Sequence, residues 1–195
     1  MCKQKESVPN LLKPDGTLTD NDQEKAQILS NFFKSVYVNE GSGPLPEFKA
    51  QVKSKIRSID VTEEDIKCAL KSLNVNKSQG PDGIHPRVLK ELADQIASPL
   101  CKIFNRSIKE GKIPDMWREA EVRPIFKKGK KNEPGNYRPV SLTSVLCKVL
   151  EGFVRRALYN HLVDNKLLSE HQFGFCKGRS CLSQLLVTIN EWMSY

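Results

Sequence analysis

"RPIFKKGKKNEPGNYRPVSL", Arg123 to Leu142, sets two short apolar stretches, each interrupted by a proline, around a loop crowded with lysines. Residues Ala120 to Phe126 read as a strand and Tyr137 to Leu142 as its antiparallel return. Pro124 and Pro139 cannot donate to a β-ladder, which confines both strands to a sheet edge or a projecting hairpin. The loop, Lys127 to Asn136, holds four lysines, and Arg138 opens the return strand. On a projecting ribbon, ammonium groups can lie along a phosphate chain while the planar arginine fork grips two oxygens together. The same charges would also serve to keep an edge from pairing with other strands. Spacing alone leaves both readings open.

Positive charge gathers around this hairpin. Between Lys102 and Lys131 ten Lys/Arg stand against four acids, a surplus of six in a chain of 195 residues whose net charge is +8. Such a surplus suits a polyphosphate partner: nucleic acid, a nucleotide or an acidic membrane surface. A solvated surface would carry it equally well. The hydrophobic fraction of 38% supports one domain with a modest core, or a domain with a loosely attached extension. No apolar run reaches the roughly eighteen residues of a membrane span. The opening MCKQKESVPN lacks an apolar signal segment, so an intracellular protein, nuclear or cytoplasmic and not secreted, is expected. Six cysteines, at 2, 68, 101, 147, 176 and 181, form no Cys-x-x-Cys pair. His85, His161 and His171 complete no zinc spacing, and reduced thiols are expected.

On either side of the hairpin the pattern is mainly helical. Asp15-Gly16 marks a turn in an irregular lead. Thr19 or Asp20 is expected to cap a helix over about 20–38, its face formed by Ala26, Leu29, Phe32, Phe33 and Val36. A linker follows at about 39–47. Thr62 starts a short helix that turns Ile66, Ala69, Leu70 and Leu73 inward. Pro86 opens another, with Val88, Leu89, Leu92 and Ile96 on one face. Ser98-Pro99 reads as a fresh start for a helix with Leu100, Ile103, Phe104 and Ile108, stopped by Gly111. After the hairpin a long amphipathic helix covers about Ser144 to Asp164, then a short extended HQFGF and a basic KGRS turn. Ser180 caps a last helix bearing Leu182, Leu185, Leu186, Ile189 and Trp192.

Several ordered strings give the chain a family resemblance. They are KSQGPDGI (Lys77–Ile84), WRxAxVxPIFKKG (Trp117–Gly129), NYRPVSL (Asn136–Leu142), KVLE (Lys148–Glu151) and SEHQFGFxKGRS (Ser169–Ser180). Together they resemble the reverse transcriptases of non-LTR, LINE-type retrotransposons, the jockey-like group in particular. DGTLTD (Asp15–Asp20) and AQILSNFFKSVY (Ala26–Tyr37) resemble the stretch those proteins carry between endonuclease and polymerase. The resemblance implies an α+β fold, the mostly helical fingers of a right-hand polymerase with a projecting β-hairpin, palm incomplete and thumb absent. Residues 1–60 would be an extension preceding the polymerase domain, and 61–195 a partial reverse transcriptase domain. Lys127 and Arg138 match residues that meet the incoming dNTP. Lys128 and Lys130 are assigned to the template backbone, and Gln172, Phe173 and Gly174 match a segment lining the template and nucleotide site. Gly80, Pro81 and Asp82 match a motif near the template path whose role is mainly architectural. The implied partners are an RNA template, a DNA primer and dNTP, with no membrane.

Phosphodiester synthesis uses two metal ions held by converging carboxylates. The family's aspartate motifs do not occur here, and after Asp164 the only acids are Glu170 and Glu191. The clusters at Asp20/Asp22 and Glu63/Glu64/Asp65 sit at expected helix starts, where capping explains them. By family order the first catalytic aspartate would follow Tyr195. The expectation is therefore a polymerase fragment, inactive alone and with no cofactor of its own, Mg2+ belonging to the full-length enzyme. Missing palm strands should leave the faces of the last two helices uncovered and the isolated chain prone to aggregate. The alternatives are a non-catalytic RNA- or DNA-binding module and a non-functional relic of a transposable element. No nuclease constellation precedes residue 15.

Overall fold

A computed structural model describes residues 7–38, 41, 43–44, 55–56 and 58–194. The described residues form six α-helices and one antiparallel hairpin: α1 (Asp22–Ser35), α2 (Glu63–Lys71), α3 (Pro86–Glu91), α4 (Ala93–Glu110), β1 (Ala120–Phe126), β2 (Tyr137–Thr143), α5 (Val145–Asp164) and α6 (Cys181–Met193). The class is α+β, as the sequence indicated. The linker expected at 39–47 lies outside the described residues apart from 41, 43 and 44.

Capping chemistry sets the helix starts. Thr62 and Asp65 form a reciprocal capping box at α2, and Ser180 with Ser183 does the same at α6. At α1 the cap is neither Thr19 nor Asp20 but Asn21, whose side chain accepts from Glu24 N at 2.9 Å. Thr19 is fully buried and occupied elsewhere: its hydroxyl accepts from Leu11 N at 2.8 Å and closes the lead turn. Gly16 and Gly111 take the left-handed conformation that the turn and the α4 C-terminus require.

The break expected at Ser98-Pro99 is absent. α4 runs through Pro99, and the chain divides instead at Leu92, where φ −93 and ψ 13 interrupt the helix. Val88 and Ile96 therefore lie on different helices. Ser98 is no cap; its hydroxyl donates to Glu63 Oε1 at 2.7 Å and ties α4 to α2.

The main core joins Ile66 and Leu70 of α2, Leu89 of α3, Ala93, Ala97, Leu100 and Phe104 of α4, Trp117, and the first half of α5 from Val145 to Phe153. Phe104 has no solvent exposure and stands edge-on to Trp117, ring centroids 5.8 Å apart. Ile103, expected inward, is 40% exposed because the α4 face turns toward Ala97 and Ser107. A second, separate cluster unites Leu11 of the lead, Leu29 of α1 and Tyr137 of β2. The uncovered face expected of the last helix is present, α6 burying no residue with Leu185 and Trp192 56% and 75% exposed, but the face expected to be uncovered on α5 packs into the main core from Val145 to Phe153, leaving only its Leu158 exposed, at 48%.

Surface carboxylates give stability an acid limit. Hydrogen bonds from Thr62 hold Asp65 below the ordinary carboxylate range; Lys71, then Lys67, hold Asp94 down, and Lys13 does so for Glu24. A depressed folded pKa contributes stability that is complete above the unfolded value and lost as pH falls through the folded one. The thermal midpoint should therefore drop on acidification below about pH 4, and D65N with D94N should flatten part of that drop. A midpoint unchanged between about pH 5 and pH 2 would contradict this.

Candidate nucleic-acid interface

The hairpin keeps a strict register, Ala120 opposite Thr143 through Phe126 opposite Tyr137. Lys127 N extends it by donating to Asn136 O at 2.8 Å. Counting the alternation back from that bonded rung puts the Pro124–Pro139 pair on a non-hydrogen-bonded rung. The prolines thus cost the ladder nothing. Both missing donors lie on the outer edges, where their absence discourages further strand pairing.

The pleat sorts the side chains. Val122, Pro124, Phe126, Tyr137 and Pro139 share one face, while Arg123, Ile125, Lys127, Arg138 and Val140 share the other. The first face is apolar and turns toward α1: Val122 and Pro124 line a cleft with Leu29 and Phe33, and Tyr137 joins Leu11 and Leu29. Lys127 and Arg138 therefore lie together on the opposite face, a diagonal pair across the ladder. Arg123 shares that face, but its guanidinium is engaged by Glu121 at 2.7 Å.

The tip is a built loop. Asn136 Nδ2 donates to Lys130 O at 3.0 Å and to Glu133 Oε2 at 2.9 Å. The Tyr137 hydroxyl donates to Lys131 O at 2.5 Å, and Leu12 N to Asn132 O at 2.8 Å. Burial raises the Tyr137 phenol above its ordinary range against the pull of Lys131. Gly129, at φ +88, leaves room for the Asn136 amide, which a β-carbon would approach to 2.5 Å. With its carbonyls held from inside, the loop directs charge outward: Lys127, Lys128, Lys130 and Arg138 are exposed, and none forms a salt bridge among the described residues. Lys131 lies over the Phe126 ring, 5.7 Å from its centroid.

The remaining sequence-derived residues sit on two other supports. Gly80 is buried against the joint between β2 and α5; a β-carbon there would lie 2.6 Å from Thr143 O and 2.8 Å from Ser144 Cα. Asp82 Oδ1 accepts from Ile84 N at 3.2 Å, and exposed Pro81 lies between. Gln172, Phe173 and Gly174 belong to the connection after α5. The extended HQFGF expected there is instead a series of turns, with Phe175 at φ 62. Arg179 explains the folding-up: its guanidinium donates to the carbonyls of Glu170 and Gln172 and stacks over Phe173 at 5.0 Å. Gln172 Nε2 donates to Gly174 O at 2.8 Å. Asn136, Tyr137 and Arg179, which hold the carbonyls around the sequence-derived residues, are not among those residues; an amide and an aromatic at the start of the return strand are the available signal for the first two.

Among the described residues no group of three or more His, Cys, Asp or Glu side chains comes together to hold a metal ion. Nor is any described helix long and apolar enough to cross a membrane.

The sequence has relatives of known class. The chain is 30% identical over 88% of its length to a probable RNA-directed DNA polymerase from transposon BS of Drosophila melanogaster, covering 20% of that protein. It is 31% identical over 67% of its length to the RNA-directed DNA polymerase from mobile element jockey of the same fly, covering 14% of it. With a Pol polyprotein from the type-1 retrotransposable element R1 of Bradysia coprophila it shares 27% identity over 87% of the chain and 17% of the relative. No protein-family model matches the sequence. Over most of its length, then, the chain is homologous to RNA-directed DNA polymerases of non-LTR retrotransposons, the family to which its motifs pointed. It spans a fifth or less of the length of these relatives.

Proposed function

We propose that this chain is the fingers portion, with the palm entrance, of a right-hand RNA-directed DNA polymerase, and that it binds RNA template and incoming dNTP without performing polymerisation alone. One observation carries the reading: four basic side chains without acidic partners among the described residues project from a hairpin whose tip backbone is pinned. Lys127 and Arg138, on one face of the ribbon, grip the triphosphate. Lys128 and Lys130, nearer the tip, follow the template backbone. Gln172, Phe173 and Gly174 line the template and nucleotide site, and Gly80, Pro81 and Asp82 set the loop beside the hairpin root. In the longer enzyme the carboxylates that hold Mg2+ come from other segments.

The test is the salt dependence of binding to single-stranded RNA. Four to six neutralised phosphates on a single strand give a log–log slope of about −3 to −4. Little sequence preference is expected, because backbone contacts position without specifying. A flat dependence on salt removes the reading. Template-dependent dNTP incorporation by the chain with Mg2+ would overturn its catalytic silence.

A further inference from the structure

We infer that the N-terminal lead and α1 act as a brace that positions the lysine loop, with Leu11, Leu29 and Phe32 as positioning residues for phosphate binding. This inference rests on the nucleic-acid reading above and extends it to residues that carry no charge.

Three struts converge on the loop. The first is polar: Leu12 N reaches Asn132 O at 2.8 Å, and its own segment is fixed by Thr19, which is fully buried and bonded to Leu11 through both hydroxyl and backbone. The second is apolar: Leu11 and Leu29, 0% and 5% exposed, enclose Tyr137, whose hydroxyl holds Lys131 O. The third is steric: α1 packs on the Pro134–Asn136 turn, its Phe32 ring 3.4 Å from where a β-carbon on Gly135 would sit. The Lys13–Glu24 ion pair, 2.9 Å, ties the lead turn to the start of α1.

A two-stranded hairpin on its own is marginally stable. Its apolar face needs a cover, and α1 supplies one on the side opposite Lys127 and Arg138. The brace thus holds the loop without occluding the charged face. Pre-ordering the lysines spares the ordering cost that binding would otherwise carry. Because this cluster is separate from the main core, it can loosen without unfolding the helices behind it.

The experiment compares the native chain with Phe32→Ala, Leu11→Ala and the conservative Phe32→Leu, using a single-stranded RNA oligonucleotide across a salt series and amide hydrogen exchange in parallel. Phe32→Ala and Leu11→Ala should raise exchange over residues 130–137 while α4 and α5 stay protected. Affinity should fall about tenfold at every salt concentration with the slope retained, since no charge is lost. Phe32→Leu should restore most of the affinity. Native affinity in both alanine variants, or loss of protection spreading through α4 and α5, overturns the brace. A native chain with no salt slope would instead overturn the nucleic-acid reading itself, so the two failures are distinguishable.

Discussion

Phe104→Ala is expected to lower the unfolding free energy by about 3–5 kcal/mol. Phe104 is wholly buried on α4 and touches aromatic rings on two sides, Trp117 edge-on and Phe153 at a centroid distance of 6.3 Å. Removing the ring leaves a void that rigid helices on both sides cannot close. Trp117 is buried in the connection between α4 and β1, so the hairpin root would loosen with the core. A small domain has only about 5–15 kcal/mol in total. This one also leaves the apolar side chains of α6 uncovered, and the variant should be largely unfolded and aggregation-prone near 37 °C. The denaturant midpoint at 25 °C measures the loss; a shift worth under about 1 kcal/mol would show that the α4–α5 contact is not the centre of stability.

Gly80→Ala is the second large effect, and its cause is space. The added carbon would come within 2.6 Å of Thr143 O and 2.7 Å of Thr143 C, both backbone atoms. No side chain can rotate away, so either the 76–86 loop or the β2–α5 joint must move. Overpacking of this kind costs typically about 1–3 kcal/mol, and an all-backbone clash belongs at the upper end. Gly83 is the internal control. It has φ +68 but open space around it, so Gly83→Ala should cost only the left-handed penalty of about 1–2 kcal/mol. Because Thr143 ends the basic hairpin, Gly80→Ala should also weaken RNA binding, whereas Gly83→Ala should not. Equal binding by both variants would separate the loop from the interface.

What was legible in the sequence was local. Two short apolar stretches, each with a proline, around a lysine-rich loop placed β1 and β2 within a residue, because the whole signal lies within about twenty residues. Capping chemistry found Thr62 and Ser180 for the same reason. The failures came from contacts between distant residues. Ser98-Pro99 has the look of a helix start, yet Ser98 serves Glu63, 35 positions away, and the helix carries Pro99 inside it. Thr19 looked like a cap but is committed to Leu11. HQFGF lacks any local sign that Arg179 will gather its carbonyls into turns. At the site, the charged residues were readable by type and spacing, while their supports were not. Tyr137, Asn136 and Phe32 act through carbonyls and glycine surfaces whose position only the fold determines.

If the pinned lysine loop is the phosphate-binding element, its charges must set the salt dependence of binding. Replacing Lys127, Lys128 and Lys130 together with alanine and measuring single-stranded RNA affinity across a salt series tests this most directly. Each lost phosphate contact on a single strand removes about 0.7 from the log–log slope, so the triple variant, which loses the template contacts of Lys128 and Lys130, should be shallower by about 1.4, with hydrogen-exchange protection in α4 and α5 unchanged. A triple variant that keeps the full slope would contradict this role and move the binding surface away from the hairpin.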